Sequence, residues 1–422
     1  MKVLVIGGGG REHALVDAIH RSKRVTQIYA APGNGGISEL AECISLKVDD
    51  IEGIKSFILE KSIDCTVIGP ELPLTLGLAD ELRRSNLKCF GVNKDAAQLE
   101  GSKAFSKRFL TKYNMPTASY KEFTDYQEAK KYLDTAILPI VIKADGLAAG
   151  KGVVIAMTVA EAEQALHAML AEQAFGEASA RVVIEECLQG EEASYIVLCD
   201  GRQALPMASS QDHKRRDAGD LGPNTGGMGA YSPAPVLTAD IEQRVLRKII
   251  EPTLAGMAAD GAPFRGFLYA GLMIAADGTP RVLEFNVRLG DPETQPIMLR
   301  LQADLVELIE AALQGRLQGH HAHWDPRPAL GVVLATSGYP LKPRTGDTIH
   351  GLDQNFETGV KVFHAGTRTQ DGQVLTAGGR TLTVCALGED LVTARQRVYR
   401  AARSIHFEGC FYRNDIAARA LP

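Results

Sequence analysis

Long apolar runs are missing from this chain of 422 residues, although 45% of its residues are hydrophobic. No stretch approaches the roughly 20 apolar residues that a membrane-spanning helix needs. An excess of basic charge is missing too, because the net charge is −5. The chain therefore lacks the electrostatic footprint of a protein that binds nucleic acid or an anionic membrane. The expected partners are small molecules, and the length predicts two to four domains.

Clusters of cysteine and histidine with metal-ligand spacing are also missing. The seven cysteines never reach C-x-x-C spacing, and the ten histidines show no metal pattern. Most cysteines lie in apolar runs, which is typical of buried thiols in a reducing compartment. The chain starts with a buried-strand pattern at Lys2 to Ile6 rather than with a secretory signal. These features predict a cytoplasmic protein without a zinc site.

Short apolar strands alternate with helical stretches over the first hundred residues, which predicts a parallel sheet with helices on both faces. The turn from Gly7 to His13 is rich in glycine, but Glu12 or His13 stands at the third glycine position of the dinucleotide pattern. A nicotinamide-dependent dehydrogenase is therefore a disfavoured alternative. Glycines followed by Arg11 at a helix start still suit a lone phosphate. Two further turns are expected at the same edge of the sheet: Gly33 to Gly36 and Gly69-Pro70-Glu71.

A glycine-rich loop lies between two β-branched runs, Ile140 to Ile142 and Val153 to Ile155. The flanks predict a hairpin of strands, and the loop glycines let backbone N–H groups turn toward a polyanion. Lys143 and Lys151 add positive charge. The nucleotide P-loop pattern does not fit, because Gly152 stands where serine or threonine should hold magnesium. The segment predicts a phosphate-binding loop of another type.

The rest of the chain alternates between structured segments and one long polar loop. The pattern from Asp95 to Tyr113 is helical, and residues 118–196 predict a small β-rich unit with its own hairpins. A polar, glycine-rich stretch from Ser209 to Pro233 is long enough to predict a functional loop. A polar linker at 315–328 precedes a predicted α+β tail.

Glu284 and Asn286 alternate with a buried Phe285, so both side chains are expected on one face of a strand. A carboxylate and an amide oxygen are hard ligands that suit Mg²⁺ or Mn²⁺ together with phosphate oxygens. Arg288 follows on the same face and is suited to bind a carboxylate or phosphate through two hydrogen bonds. A strand end capped by polar residues is the alternative for this segment taken alone.

Taken together, these segments resemble the ATP-grasp ligases. A helical lysine, a strand lysine before a glycine loop, an acidic strand end and a Glu-x-Asn strand occur in the same order. Within that superfamily the chain resembles, end to end, the ligases that join glycine to phosphoribosylamine. The most specific blocks are Gln211-Asp-His-Lys-Arg215, Pro223-Asn-Thr-Gly-Gly-Met-Gly-Ala-Tyr231 and Arg288-Leu-Gly-Asp-Pro-Glu-Thr-Gln295.

The resemblance implies an α/β multidomain fold. An open, parallel, Rossmann-like sheet of the pre-ATP-grasp type is expected at 1–101, and an ATP-grasp α+β region at 102–314. Residues 118–196 would form the lid over ATP, 315–328 a linker, and 329–422 a small α+β domain. The implied reaction is ATP-dependent ligation of glycine to 5-phosphoribosylamine by a monomer, through glycyl phosphate. A sister ATP-grasp ligase and a non-catalytic nucleotide-binding regulator remain alternatives.

The resemblance also implies the nucleotide and metal contacts. ATP is the co-substrate, with its phosphates on two lysines and Mg²⁺ or Mn²⁺ on Glu284 and Asn286. The segment from Asp145 to Gly152 would be a mobile flap that closes over ATP. The implied ATP-binding residues are Lys103, Lys143, Gly150, Lys151, Gly152, Glu185, Glu186, Leu188 and, for the ribose, Glu192.

On the acceptor side, the resemblance implies that Asp212 pairs with the ammonium group of glycine. Arg288 would pair with its carboxylate or with the acyl phosphate, and Lys143 completes the implied catalytic set. The glycine turn before Arg11 is assigned to the phosphate of phosphoribosylamine. The implied substrate residues are Gly9, Gly10, Arg11, Asp212, Lys214, Thr225, Gly226, Gly227, Met228, Arg288, Gly290 and Asp291.

One position departs from the wider superfamily. Many ATP-grasp enzymes carry a second metal-ligating glutamate on the strand before Glu-x-Asn, and here that position is Gly271. Metal binding is therefore expected to rest on two side chains together with the phosphates.

Overall fold

The computed structural model describes residues 1–147 and 152–421. No helix within these two ranges is long and apolar enough to cross a membrane. Gly150 and Lys151, which the sequence assigns to ATP, lie outside the described residues.

The N-terminal part is a five-stranded parallel sheet with strand order β3-β2-β1-β4-β5. Leu4 and Ile6 pack into a cluster on one face, and Val3 and Val5 pack against α1 on the other. This arrangement confirms the predicted parallel sheet with two helical layers. Its elements are β1 (Lys2–Gly7), α1 (Gly10–His20), β2 (Gln27–Pro32), β3 (Glu42–Cys43), α2 (Ile51–Lys61), β4 (Cys65–Ile68), α3 (Glu71–Leu76), α4 (Leu78–Arg84), β5 (Cys89–Phe90) and α5 (Lys94–Gly101).

The glycine-rich loop joins two strands of a four-stranded antiparallel sheet with order β6-β9-β7-β8. The predicted hairpin is confirmed by the pairing of Ile140 with Ala156. The helical pattern predicted from Asp95 to Tyr113 is confirmed, but it forms two helices, because the chain breaks at Ser102. Its hydroxyl accepts a hydrogen bond from the Phe105 N–H at 3.0 Å and caps a new helix. The elements are α6 (Lys103–Lys112), β6 (Tyr120–Phe123), α7 (Tyr126–Leu133), β7 (Ile140–Ala144), β8 (Val153–Ala156), α8 (Val159–Leu166, continued by a π-helical turn) and β9 (Val182–Glu186).

The central part is an antiparallel sheet with order β11-β10-β16-β17. The sequence assigns residues up to 196 to the small β-rich unit, but β10 pairs along its whole length with β16. Tyr195 and Leu268 on these strands share a core with Leu4 of the N-terminal sheet, which fixes the two sheets against each other. The elements are β10 (Glu191–Asp200), β11 (Ala204–Pro206), β12 (Gln211–Asp212), β13 (Arg215–Asp217), β14 (Leu221–Asn224), β15 (Gly229–Ser232), α9 (Ala239–Val245), α10 (Glu251–Ala259), β16 (Arg265–Ile274), β17 (Pro280–Asn286), α11 (Thr294–Arg300) and α12 (Leu305–Leu313).

The C-terminal sheet has order β12-β15-β18-β22-β19, so two short strands of the long polar loop are members of it. The Gln211 and Tyr231 positions pair within this sheet, and Ser232 pairs with Ala329. The predicted α+β tail is confirmed. Its elements are β18 (Ala329–Ala335), β19 (Val360–His364), β20 (Thr367–Gln370), β21 (Gln373–Thr376), β22 (Arg380–Leu387) and α13 (Leu391–Arg403).

The C-terminal part is tied to the N-terminal glycine turns by buried polar contacts. The His364 N–H donates to Nδ1 of His13 at 2.8 Å, and Nδ2 of Asn34 donates to the carbonyls of Gly8 and His364 at 2.9 and 2.8 Å. Burial lowers the pKa of His13 to about 3, so its ring stays neutral and accepts this hydrogen bond. Residues far apart in the chain therefore meet at the carboxyl edge of the parallel sheet.

Candidate active site

A carboxylate and two ammonium groups converge at the end of β17. The Oε2 atom of Glu284 lies 3.5 Å from Nζ of Lys103, and its Oε1 lies 4.0 Å from Nζ of Lys214. Burial would raise the pKa of Glu284, but the cations led by Lys103 and Lys214 hold it well below its usual range. Gly271 lies opposite Glu284, and a Cβ at Gly271 would come within 3.2 Å of the Glu284 Cγ. The ionised carboxylate thus has no second acidic side chain beside it at that position.

Arg288 is held between three side-chain acceptors. Its Nη2 donates to Oε1 of Glu100 at 2.7 Å and to Oδ1 of Asn286 at 2.9 Å, and its Nε lies 3.3 Å from Oε2 of Glu71. The other oxygen of Glu100 accepts from the Val287 N–H at 2.7 Å. Burial disfavours the charged guanidinium, yet Glu100 and Glu71 keep the pKa of Arg288 above its usual value. No local sequence pattern points to Glu100, which lies in an ordinary helical segment.

Lys143 shares a buried carboxylate with a second lysine. Its Nζ lies 3.0 Å from Oε1 of Glu185 and donates to the Leu283 carbonyl at 3.0 Å. Nζ of Lys107 lies 2.8 Å from Oε2 of the same glutamate. Lys107 was not identified from the sequence, although it follows Lys103 by one turn of α6.

Glu192 and Asp212 both interact with the charge of Lys214. Oε2 of Glu192 is 3.2 Å from Nζ of Lys214, while Glu191 is exposed on the opposite face of β10. Asp212 is 7% exposed. Burial raises the pKa of Asp212 to about 7 despite the attraction of Lys214, and the neighbouring Glu293 contributes in the same direction. The structure therefore brings the predicted ribose and glycine residues to one lysine.

The remaining residues predicted to bind ATP lie along β7 and β9. Oε1 of Glu186 accepts from the Ser119 N–H at 3.1 Å, and Leu188 lies in the segment that follows β9. The Gly152 carbonyl accepts from the Ala144 N–H at 2.8 Å, at the base of the hairpin.

The glycine turn before α1 is closed by the helix's own glutamate. The Gly9 N–H donates to Oε2 of Glu12 at 2.7 Å, and Nε of Arg11 lies 2.6 Å from Oε1 of the same carboxylate. The Arg11 guanidinium also donates to the Leu289 carbonyl at 3.1 Å. The Glu12 carboxylate therefore satisfies the Gly9 N–H and orients Arg11 at the N-terminus of α1.

A cavity of about 390 Å³ opens between the N-terminal glycine turns and the C-terminal part. Glu12 supplies a carboxylate to its wall, and most of the other lining residues are glycine, alanine or proline. Its lining includes Gly8, Gly9, Gly33, Pro70, Gly366 and Thr367.

Arg380 from β22 fastens two predicted acceptor segments together. It donates to the Gly226 carbonyl at 2.8 Å and to Oδ2 of Asp291 at 3.0 Å. The other oxygen of Asp291 accepts from Gln295 at 2.8 Å, and a Cβ at Gly10 would collide with that amide at 2.4 Å. Gly10 and Asp291 are therefore neighbours, as the shared pocket requires, but the arginine that holds Asp291 was missed.

The other predicted acceptor residues differ in what they present. The Thr225 hydroxyl accepts from the Gly227 N–H at 3.0 Å and shapes the turn. A Cβ at Gly290 would lie 2.5 Å from Glu293, so only glycine, which has no side chain, fits at this position. Met228 is fully buried among apolar residues of the C-terminal core, so its side chain does not line the site.

Family models match most of the chain. The phosphoribosylglycinamide synthetase N domain matches residues 1–100, the ATP-grasp (A) domain residues 101–294 and the C domain residues 329–419. The chain is 56% identical to the phosphoribosylamine–glycine ligase of Xanthomonas axonopodis over 424 residues, which cover 100% of this chain and 98% of that protein. It is 55% identical to the enzyme of the same name from Allochromatium vinosum, covering 100% and 99%.

Solved structures give the same result. The Thermotoga maritima phosphoribosylamine–glycine ligase superposes with a TM-score of 0.86 at 35% identity, covering 99% of this chain and 100% of that one. A biotin carboxylase from Campylobacter jejuni superposes with a TM-score of 0.74 at 14% identity, covering 99% and 98%. At that identity the likeness concerns the fold alone.

Proposed function

The chain belongs to the phosphoribosylglycinamide synthetase family, and on that premise we propose how its residues carry out the ligation. It is an ATP-dependent ligase of purine biosynthesis that joins glycine to 5-phosphoribosylamine. ATP, glycine and 5-phosphoribosylamine give ADP, phosphate and 5'-phosphoribosylglycinamide, in the second step of the de novo route. The observation that carries the residue assignment is the convergence of Lys103, Lys214 and Arg288 on the end of β17.

The reaction proceeds through glycyl phosphate. An amine cannot displace oxygen from a carboxylate until that oxygen becomes a leaving group. Transfer of the γ-phosphoryl group of ATP to glycine gives glycyl phosphate and ADP. The amine of 5-phosphoribosylamine then attacks the carbonyl carbon, the C–O bond to phosphate breaks, and the nitrogen loses a proton. The protein's task in both steps is to position reactants and to neutralise charge.

Lys103 and Lys143 hold the α- and β-phosphates of ATP. Both lysines reach β17: Lys103, at the start of α6, lies beside Glu284, and Lys143, near the end of β7, donates to the carbonyl of Leu283. Backbone groups from Glu185 to Leu188 contact adenine, and Glu192 binds the ribose hydroxyls. The segment from Asp145 to Gly152, with Gly150 and Lys151, stays a flap predicted from the sequence.

The donors at the end of β17 fit a divalent cation. Among residues 1–147 and 152–421 there is no cluster of three or more His, Cys, Asp or Glu side chains that would compete for it. Glu284 is ionised beside two ammonium groups, and the Asn286 amide oxygen is oriented by Arg288. These hard ligands suit Mg²⁺ or Mn²⁺ with phosphate oxygens completing the shell. When bound, the metal neutralises charge on the β- and γ-phosphates.

Glycine and the acceptor bind on the other side of Glu284. Asp212 pairs with the glycine ammonium, and Arg288 binds its carboxylate and then the acyl phosphate. The 390 Å³ cavity beside Gly8 and Gly9 takes the phosphoribosyl group, with its phosphate near the turn that precedes Arg11. The remaining acceptor residues are Gly10, Lys214, Thr225, Gly226, Gly227, Met228 through its backbone, Gly290 and Asp291.

We also propose the organisation around this site. The functional units are residues 1–101, 102–314 and 329–422, joined by 315–328, and the matched family ranges support this division into three units. The lid begins at 118 and ends after β9, because β10 belongs to the central sheet. The protein acts as a cytoplasmic monomer whose partners are its substrates.

Phosphate release from ATP tests the proposal most directly. Glycine and 5-phosphoribosylamine are added singly and together, and release is expected only when both are present. Release with bicarbonate alone would assign the chain to another ATP-grasp reaction. Replacement of glycine by alanine is the matched control for the amino acid.

A further inference from the structure

We propose that Lys107 is a positioning residue, which sets how readily Lys143 leaves Glu185 to bind the phosphates of ATP. The inference rests on the proposed role of Lys143 as a phosphate ligand. Lys107 itself touches no substrate group in this arrangement, because it points from α6 into the protein interior.

The three side chains form a closed unit in the interior. The exposed fractions are 3% for the Lys107 side chain, 8% for Lys143 and 2% for Glu185. The carboxylate gives one oxygen to each ammonium group, at 2.8 Å and 3.0 Å. Lys107 is anchored further by donating to the Thr117 hydroxyl at 2.8 Å.

The net charge of these three side chains explains how Lys107 can act on Lys143. Two ammonium groups share one carboxylate, so the unit has one positive charge in excess. If Lys143 turns to a phosphate, Glu185 keeps Lys107 as its partner and is not left as an unpaired buried charge. Without Lys107 the carboxylate would have only Lys143, and every move of Lys143 to ATP would strand a buried anion. Lys107 therefore lowers the cost of releasing Lys143.

The pKa of Lys107 agrees with this role. Burial lowers the pKa of Lys107 to about 8 even though Glu185 attracts it, and the nearby Lys143 acts in the same direction as burial. A lysine placed only to neutralise Glu185 would not need a second lysine on the same carboxylate. The pair is explained if one ammonium group stays and the other is shared with a ligand.

Two variants separate positioning from plain structural support. Lys107→Met is expected to raise the KM for ATP about tenfold, with kcat changed less than about threefold. Lys107→Met combined with Glu185→Gln removes both the anchor and the carboxylate that traps Lys143. Because only the backbone of Glu185 is assigned to adenine, and Glu185→Gln keeps that backbone, we expect this double variant to return the KM for ATP to within about threefold of the wild type. Lys112→Met, on the exposed end of α6, is the matched control and is expected to leave both constants unchanged.

The pattern of the two variants decides the outcome. An unchanged KM in Lys107→Met, or a double variant as poor as the single one, overturns the inference. If Lys107→Met does not fold by circular dichroism, the double variant is compared with the wild type alone. A KM within threefold then supports the inference, and a larger loss overturns it.

Lys143→Met distinguishes failure of this inference from failure of the proposed site. A raised KM for ATP in Lys143→Met supports the phosphate role, so that a wrong pattern at Lys107 then counts against Lys107 alone. An unchanged KM in Lys143→Met overturns the phosphate role and the inference with it.

Discussion

The guanidinium of Arg288 donates to the carboxylate of Glu100 across 2.7 Å, and the second oxygen of that carboxylate accepts from the backbone N–H of Val287. Glu100 thus fixes both the Arg288 side chain, which we propose binds glycine, and the backbone just before it. The glutamate side chain is 4% exposed, so water does not weaken the contact. A residue near the end of α5 therefore fixes the orientation of the residues that follow β17.

Glu100→Gln should lower kcat about tenfold, because the amide has one oxygen for two donors, so its NH2 group faces the Arg288 guanidinium and the charge-assisted hydrogen bond is lost. The amide can still accept from Val287, so the fold should be retained. Steady-state kinetics with circular dichroism measure both effects. Glu60→Gln on the exposed face of α2 is the matched control, and a kcat equal to that of the control would argue against the role of Glu100.

Glu284→Ala should abolish turnover while the protein stays folded. The variant removes the only carboxylate proposed to hold the metal and leaves Lys103 and Lys214 without their shared partner. Phosphate release as a function of Mg²⁺ concentration is the measurement. Surviving activity that still depends on magnesium would show that the metal is held elsewhere.

Arg380→Gln should raise the KM for 5-phosphoribosylamine about tenfold and leave the KM for ATP within about twofold. The arginine joins the Gly226 carbonyl to Asp291, next to the cavity, and touches none of the residues assigned to ATP. Arg344→Gln removes an exposed arginine of the same C-terminal part and serves as the control. Equal increases for the two substrates would contradict the assignment.

The KM for glycine should rise as the pH falls from about 8 to about 6. Burial raises the pKa of Asp212 to about 7, so the carboxyl group is ionised above this value and neutral below it. Protonation removes the charge that attracts the glycine ammonium, which should raise the KM about tenfold over this range. Asp212→Asn should show a high KM without the pH dependence. A flat profile in the wild-type protein would remove Asp212 from the glycine site.

The sequence predicts those parts of the site that depend on local pattern. Strand alternation places Glu284 and Asn286 on one face and puts Glu191 and Glu192 on opposite faces, and the structure shows that Glu192 is the one beside Lys214. The break at Ser102 was missed because helix propensity continues across it, and only the capping geometry ends α5 there. Such an interruption depends on one hydroxyl rather than on hydrophobic periodicity.

Residues that act across the fold could not be predicted in this way. Lys107, Glu100 and Arg380 each meet partners far away in the chain, at Glu185, Arg288 and Asp291. A lysine on an amphipathic helix or an arginine after a glycine turn has no distinctive local pattern. The long-range contacts that give these side chains their roles exist only in the folded chain.

The sharing of one sheet by the loop from 209 to 233 and the C-terminal part limits how this enzyme can be recombined. The order of the segments in the chain suggests that residues 329–422 could be exchanged as a separate domain. The strand that contains Asp212, β12, is nevertheless the edge strand of the C-terminal sheet, where it pairs with β15. In a chimera cut only at the linker, a foreign C-terminal part would have to pair with the native strands that include Asp212, the residue proposed to bind glycine. Exchanges between relatives should therefore replace both segments together, because their strands form one sheet.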